Sequence, residues 1–378
     1  MRGRLKATIA RVMTDSNRGE PLPALDGLRG LAVGIVLLSH LANAGLPVLP
    51  GLSLSGIGKS GVYLFFVLSA FLLTRLLLQW SAANWRRGAS WADYALRRVL
   101  RIWPLYLVVL LASAVISATA VAPWWPYPMD AVALLRHLTL QEGTSVLWSI
   151  PVEFHYYFWL PLVAWALAAA QRAGGLLLAS ALATSAGVAA MILWPPAASL
   201  VNDVRLGPYL VLFFAGGLAA LFSVRQATPT PRAERAFEWL GLLALLAFVA
   251  TVPAVAAVIS GGAFQADLNH RWFAFFAVAW SALLLAVVHG PARLRRPFEW
   301  RPLRWLGWVS FSAYLWHMPV LAAVTGPMGL AGAPALAVFA VLTALVSWAS
   351  WRLVERPLQR VRWPRQRSAA PEVAGKGA

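Results

Sequence analysis

The sequence predicts an all-α, polytopic membrane bundle of about ten transmembrane helices with both termini in the cytoplasm. Three observations predict it. Apolar runs long enough to cross a bilayer recur from residue 28 to residue 351. Hydrophobic residues make up 60% of the 378-residue chain and charged residues only 12%, with a mean hydropathy of +0.66; a soluble domain of this size carries about twice that charge fraction. Third, the basic residues alternate sides. With the N-terminus inside, 28 of the 32 lysines and arginines fall in inside segments or at their helix ends, and only Lys59, Arg136, Arg205 and Arg271 fall outside. Adding or dropping one span would scramble that alternation.

The elements follow in order. Residues 1–24 are polar and basic, without the apolar core of a signal peptide, and read as a cytoplasmic tail. Within it, 4–13 (RLKATIARVM) has the look of a short surface helix, although a frayed tail explains it as well. The membrane domain is expected over 25–360, with helices near 28–46, 61–78, 102–121, 147–169, 175–194, 207–223, 238–259, 272–289, 305–323 and 331–351. Proline and glycine punctuate the gaps, as in WPP (194–196) and PMGLAGAP (327–334). The long loop 122–146 is aromatic, and its WWPYP is expected to anchor at the membrane interface rather than to roof a cavity. Residues 361–378 read as a disordered cytoplasmic tail. The net charge of +18 sits in short loops beside apolar runs, which points to anionic lipid and not to nucleic acid. With no cysteine there is no disulfide, thiolate metal site or thiol nucleophile, and no metal is expected.

Ionisable groups within lipid are costly and therefore mark function. Among the 14 acidic residues, Glu153 is the one that falls clearly within a span. His40, His155 and His317 are the histidines within spans; His137 and His270 lie outside and His289 ends a helix. At about 1.5 Å of rise per residue, His40 lies roughly 16 Å along its helix from Arg29, Glu153 about 9 Å from the outer end of the fourth segment, and His317 about 20 Å into the ninth. Three groups at similar depth suggest a polar chamber. Tyr157 shares the face of Glu153 at i+4, whereas His155 points elsewhere. Ser310, Tyr314 and His317 form a polar stripe, for which helix–helix hydrogen bonding is an equal explanation to substrate contact.

At the cytoplasmic edge, Arg98 and Arg101 share a face beside Arg29, with Arg97 pointing away. Positive-inside flanking accounts for Arg97; the pair Arg98 and Arg101 suits a phosphate group better. A large anionic donor docked at Arg29, Arg98 and Arg101 needs an arm of about 15–20 Å to reach His40, the kind of reach a phosphopantetheine arm has. His40 would then serve as general base on an acceptor hydroxyl.

These motifs resemble those of the acyltransferase-3 family of integral-membrane enzymes. ALDGLRGLAVGIVLLSH (24–40) is similar to its N-terminal arginine–histidine signature, and GVYLFFVLSAFLLTR (61–75) resembles its second helix, with Ala70 where glycine is usual. RRVLRIWPLY (97–106) resembles its paired-arginine motif, and LWSIPVEFHYYFWLP (147–161) its tryptophan–serine and glutamate motif. LGWVSFSAYLWHMPV (306–320) and LVERPLQ (353–359) resemble its last two helices, so the likeness spans roughly 20–360.

The resemblance implies transfer of an acyl group, acetyl by default, from acyl-CoA as co-substrate to a hydroxyl of a sugar, glycan or glycosylated metabolite, in the inner membrane of a bacterium and with no permanently bound cofactor. It implies His40 and Glu153 as catalytic, Arg29, Arg98 and Arg101 as donor-binding, and leaves Tyr157, Tyr314 and His317 as candidate substrate contacts. Whether Glu153 orients His40 or binds the acceptor stays open. Asp26 belongs to the same signature, with capping of the first helix as its plainer role. A transporter or flippase for an anionic or lipid-linked substrate is the alternative.

Overall fold

The computed structural model describes residues 22–49, 51–226, 229–262 and 271–361. The proposed surface helix at 4–13, both tails and His270 lie outside the described residues. The described chain is helical, with no strand.

Among the described residues the main helices are α1 (Pro23–Asn43), α2 (Gly58–Leu78), α3 (Gly88–Thr119), α4 (Ser149–Leu193), α5 (Leu210–Arg225), α6 (Pro231–Ala250), α7 (Phe273–His289), α8 (Arg301–Trp308), α9 (Ser310–Thr325) and α10 (Gly332–Ser350). Every apolar segment of the sequence is largely helical, but the segments and the helices do not map one to one. Among the described residues six helical stretches are long and apolar enough to cross a membrane, or seven if α6 and the following Pro253–Ile259, bent by 88°, form one span.

The difference from ten has physical causes. Segments 147–169 and 175–194 are two helical parts of α4 that meet at a kink at Gly174 and Gly175 and are counted together as one stretch; Gly175 has φ +70° and ψ −166°, a conformation open to glycine and strained for other residues. Segment 272–289 is an apolar helix of only 17 residues. Segment 305–323 is split at Val309 between α8 and α9.

The centre of the bundle is α2, which packs against α1, α4, α5 and α7. Its Tyr63 and Phe66 sit in an aromatic cluster with Tyr209, Phe213, Phe273 and Trp148. Trp280 of α7 donates to the Ser60 carbonyl of α2 at 2.8 Å, which satisfies an indole N–H away from water. Outward, α3 shows Leu111 and Val115, α4 Phe158 and Trp165, and α10 Leu345 and Trp348, an apolar exterior suited to lipid.

Backbone contact fixes α1. A Cβ added to Gly30 would lie 2.0 Å from the Leu303 carbonyl oxygen, and one added to Gly307 would lie 1.9 Å from that of Asp26. Small residues let two helices approach this closely, so the glycines of the first segment position α1 against α8. Asp26 does not cap α1: the N-cap is Leu22, and Asp26 sits in the first turn, accepting from Trp308 Nε1 at 3.0 Å.

The loop 122–146 also differs from the interfacial anchor expected of it. Tyr127 is buried and donates to the Leu315 carbonyl of α9 at 3.0 Å, and Trp125 donates to Ser113 Oγ of α3 at 2.9 Å. Buried polar ends of aromatic side chains require partners, and these are supplied by helices of the bundle, so the loop folds inward.

Candidate active site

Three cavities lie along α1 and share walls. The first, about 390 Å³, is lined by Arg29, Arg97, Arg98, Arg101, Trp308 and Trp351 among others. The second, about 90 Å³, again touches Arg29, Arg98 and Arg101 and adds Ser69, Glu153 and Tyr157. Val62 and Tyr314 line both it and the third cavity, about 590 Å³, where His40 and Lys59 lie. The arginines are therefore at one end of the series and His40 at the other, with Tyr314 between.

The arginine end is built mainly from α1 and α3. Arg98 sits over the rings of Tyr94 and Tyr157, 6.0 and 5.7 Å from their centroids. Its Nε is buried without a hydrogen-bond partner. Arg29 faces Asp26 only at 3.7 Å. Arg97, expected to point away, pairs with Asp93 at 2.9 Å and still lines the first cavity. Arg101 is committed elsewhere: its Nη1 is 2.6 Å from Glu355 Oε2, and Glu355 Oε1 accepts from Ser312 Oγ at 2.5 Å. Glu355 is thus a buried carboxylate facing the site that the sequence did not single out beside the half-buried Glu153. A π-helical turn over Trp351–Glu355 at the end of α10 carries it into the bundle.

In the middle cavity Glu153 Oε1 accepts from Ser69 Oγ and from Tyr157 OH, each at 2.5 Å. The i+4 relation of Tyr157 to Glu153 is realised as a direct bond. Ser69 was missed by the sequence reading; it lies one residue before Ala70 in the second-helix motif. Tyr314 OH donates to the Val146 carbonyl at 2.5 Å and accepts from Ser149 Oγ at 2.9 Å, which fixes its ring between the second and third cavities. His155 is exposed on the outer face of α4.

The structure does not bring Glu153 to His40; the two line different cavities, with no hydrogen bond between them among the described residues. The ring beside His40 is His317, with centroids 5.1 Å apart. His317 is wholly buried and lines none of the three cavities. Its Nδ1 faces the carbonyls of Tyr314 and Ala313 at 2.8 and 3.1 Å. Carbonyls only accept, so Nδ1 carries the proton and Nε2 of the neutral ring is an acceptor. That Nε2 is buried without a partner.

Lys59, also missed, stands 4.1 Å over the Trp148 ring and donates to Asn202 Oδ1 at 3.0 Å. In the loop beyond, burial raises the Asp203 carboxyl, but hydrogen bonds from the Arg205 side chain and backbone outweigh this and hold it below the ordinary range.

Residues 22–352 match the profile of a family described as an acyltransferase domain. The chain is 25% identical over 370 residues to the putative peptidoglycan O-acetyltransferase YrhL of Bacillus subtilis, covering 89% of this chain and 55% of that protein. It is 25% identical over 371 residues to the peptidoglycan O-acetyltransferase OatA of Listeria monocytogenes, with coverages of 90% and 56%. It is also 25% identical over 366 residues to the O-acetyltransferase OatA of Staphylococcus aureus, with coverages of 90% and 57%. The chain spans little more than half the length of these relatives. No solved structure matches it significantly.

Proposed function

This chain belongs to the acyltransferase-3 family, and we propose that it moves an acyl group, acetyl by default, from acyl-CoA to a hydroxyl of a glycan, with His40 as general base. The observation that carries this reading is the series of cavities with shared walls, running from Arg29, Arg98 and Arg101 to His40. The relatives named for peptidoglycan O-acetylation make a cell-envelope glycan the acceptor class to try first. On this reading both ends are cytoplasmic and the membrane is a bacterial inner membrane, an orientation that the basic-residue asymmetry supports. The arginine end then opens to the cytoplasm, where acyl-CoA is.

The chemistry follows from the placement. Arg29, Arg98 and Arg101 hold the donor's phosphates through guanidinium hydrogen bonds. The pantetheine arm runs past Glu153, Tyr157 and Tyr314 and brings the thioester to His40. The imidazole takes the proton of the acceptor hydroxyl as its oxygen attacks the thioester carbonyl. The C–O bond forms and the C–S bond breaks. The departing thiolate then recovers the proton from the imidazolium, leaving the ester and free CoA. Glu153, held by Ser69 and Tyr157, polarises the passage.

The test is transfer from labelled acetyl-CoA by the purified chain in lipid, with envelope glycans as acceptors. His40→Ala should abolish CoA release and product while leaving thermal unfolding unchanged. A folded His40→Ala protein working at the parental rate overturns the reading. Transport of a substrate without CoA release would establish a transporter instead.

A further inference from the structure

The cavity at His40 has a polarity that acyl transfer by itself does not require. A general base and a neutral sugar hydroxyl would suffice for the reaction. Yet among the described residues lining this cavity Lys59 and Arg271 are cationic and none is acidic. Lys59 forms no ion pair among the described residues. The carboxylate nearest its partner Asn202 in sequence is Asp203, which is engaged by Arg205 through contacts of 2.6–3.1 Å. Asp203 acts on the Lys59 ammonium only through space, without a direct contact, and an ammonium at the head of a membrane helix with no directly bonded carboxylate is costly.

The hydrogen-bonding balance points the same way. Lys59 has three N–H donors, and Asn202 Oδ1 takes one of them. Asn43, also in the lining, has its Oδ1 occupied by Ser55 Oγ at 2.6 Å and by the Gly56 N–H at 3.2 Å. With both amide oxygens used within the protein, Asn43 and Asn202 offer the cavity their NH2 groups. The wall beside His40 therefore presents donors and positive charge. A neutral sugar, whose hydroxyls both donate and accept, does not call for that bias; a cluster of anionic oxygens does.

We propose that this cavity is an acceptor subsite for an anionic sugar, with Lys59 and Arg271 facing the charge and Asn43 and Asn202 adding donors, so that the subsite selects acidic glycans for transfer at His40. The proposal rests on the acyl-transfer reading for its link to catalysis. The binding it asserts is measured without acyl-CoA.

The full chain in lipid nanodiscs is titrated calorimetrically with methyl β-glucuronide, with the 6-phosphate of methyl β-glucoside and with methyl β-glucoside itself. Acetyl transfer to each is followed separately. The charged probes should bind at least about tenfold more tightly than the neutral one. The better of the two identifies carboxylate or phosphate as the natural group. Lys59→Gln should erase the difference by weakening the charged probes alone, and Lys59→Arg should keep most of it. Arg271→Gln supplies the second variant if Lys59→Gln does not fold. Equal affinity of all three probes, no binding of either charged probe at millimolar concentration, or an unchanged ratio in folded variants overturns the proposal. Lys59-dependent binding without transfer to any acceptor would leave the subsite standing and remove the acyl-transfer reading.

Discussion

Arg101→Ala separates two roles that the structure gives one residue. Arg101 Nη1 is 2.6 Å from Glu355 Oε2, and the Glu355 side chain is 1% exposed against 26% for Arg101. Removing the arginine leaves a buried carboxylate held by Ser312 at 2.5 Å and by Gln359 at 3.4 Å. Breaking a buried pair by removing one partner costs about 3–5 kcal/mol. The surviving hydroxyl and amide put the expected loss at the low end, about 3 kcal/mol. Glu355→Gln instead frees an arginine that already lines two cavities and keeps the volume and the Ser312 contact, so it should cost about 1 kcal/mol. The double variant Arg101→Ala/Glu355→Gln removes the orphaned charge and should recover most of the stability lost in Arg101→Ala. If Arg101 also holds donor phosphate, the KM for acetyl-CoA stays raised in the double variant while stability returns. Unfolding followed by tryptophan fluorescence in detergent, and initial rates against acetyl-CoA, read the two effects separately. Arg101→Ala no less stable than Glu355→Gln would refute the orphan-charge argument. A KM that recovers with stability would reduce Arg101 to a structural residue.

Three further outcomes follow from the geometry. Gly30→Ala drives a Cβ to 2.0 Å from a backbone oxygen of Leu303 and should cost about 1–3 kcal/mol or prevent folding, whereas Gly34→Ala, whose nearest atom is 3.9 Å away, should be within about 0.5 kcal/mol of the parent; equal yields and unfolding temperatures would refute the close-contact account. His317→Gln removes the ring 5.1 Å from that of His40 and, if His40 is the base, should lower kcat by up to about a hundredfold with KM unchanged; an unaltered kcat would show that His317 does not position His40. In the loop, burial lowers His137 below its ordinary 6.5, only partly offset by Glu142, so the unfolded chain takes up the proton first as pH falls. Stability from this group is therefore full above pH 6.5 and lost as pH drops toward the folded value, and His137→Gln should flatten that part of the unfolding-temperature profile; an unchanged slope would exclude His137 as its source.

Much of the fold was legible because each apolar run had to become a helix in lipid. The break at Gly174–Gly175 falls at the gap expected between 169 and 175, whereas the one at Val309 was not legible, since it ends a helix inside the single apolar run 305–323. The site was legible where one helix holds both partners. Glu153 and Tyr157 follow from the i+4 spacing, and Arg29 and His40 from distance along one axis. It was illegible where partners lie on different helices. Ser69 meets Glu153 across 84 residues, Lys59 meets Asn202 across 143, and Arg101 meets Glu355 across 254. Periodicity relates residues within a helix and says nothing about which helices touch. His317 shows the same limit: its stripe with Tyr314 was visible, but its packing against His40 depends on how α1 and α9 meet.

That packing bears on how the proposed reaction would be controlled. Arg29 and His40 sit on one helix, so any rigid tilt of α1 moves both together, and their separation of roughly 16 Å is set by helical rise. The glycine contacts with the α8 segment hold that helix by its backbone, where no side-chain rotation can relax it. One part of the path that α1 does not set is Tyr314, which stands between the Glu153 and His40 cavities and is tied by hydrogen bonds to Val146 and Ser149. Val146 ends the inward-folded loop and Ser149 begins α4. The loop and the start of α4 thus touch the wall between the Glu153 and His40 cavities at one phenol. On the proposed reading, a movement of that loop would alter the passage at Tyr314 without changing the distance that the donor arm must span along α1.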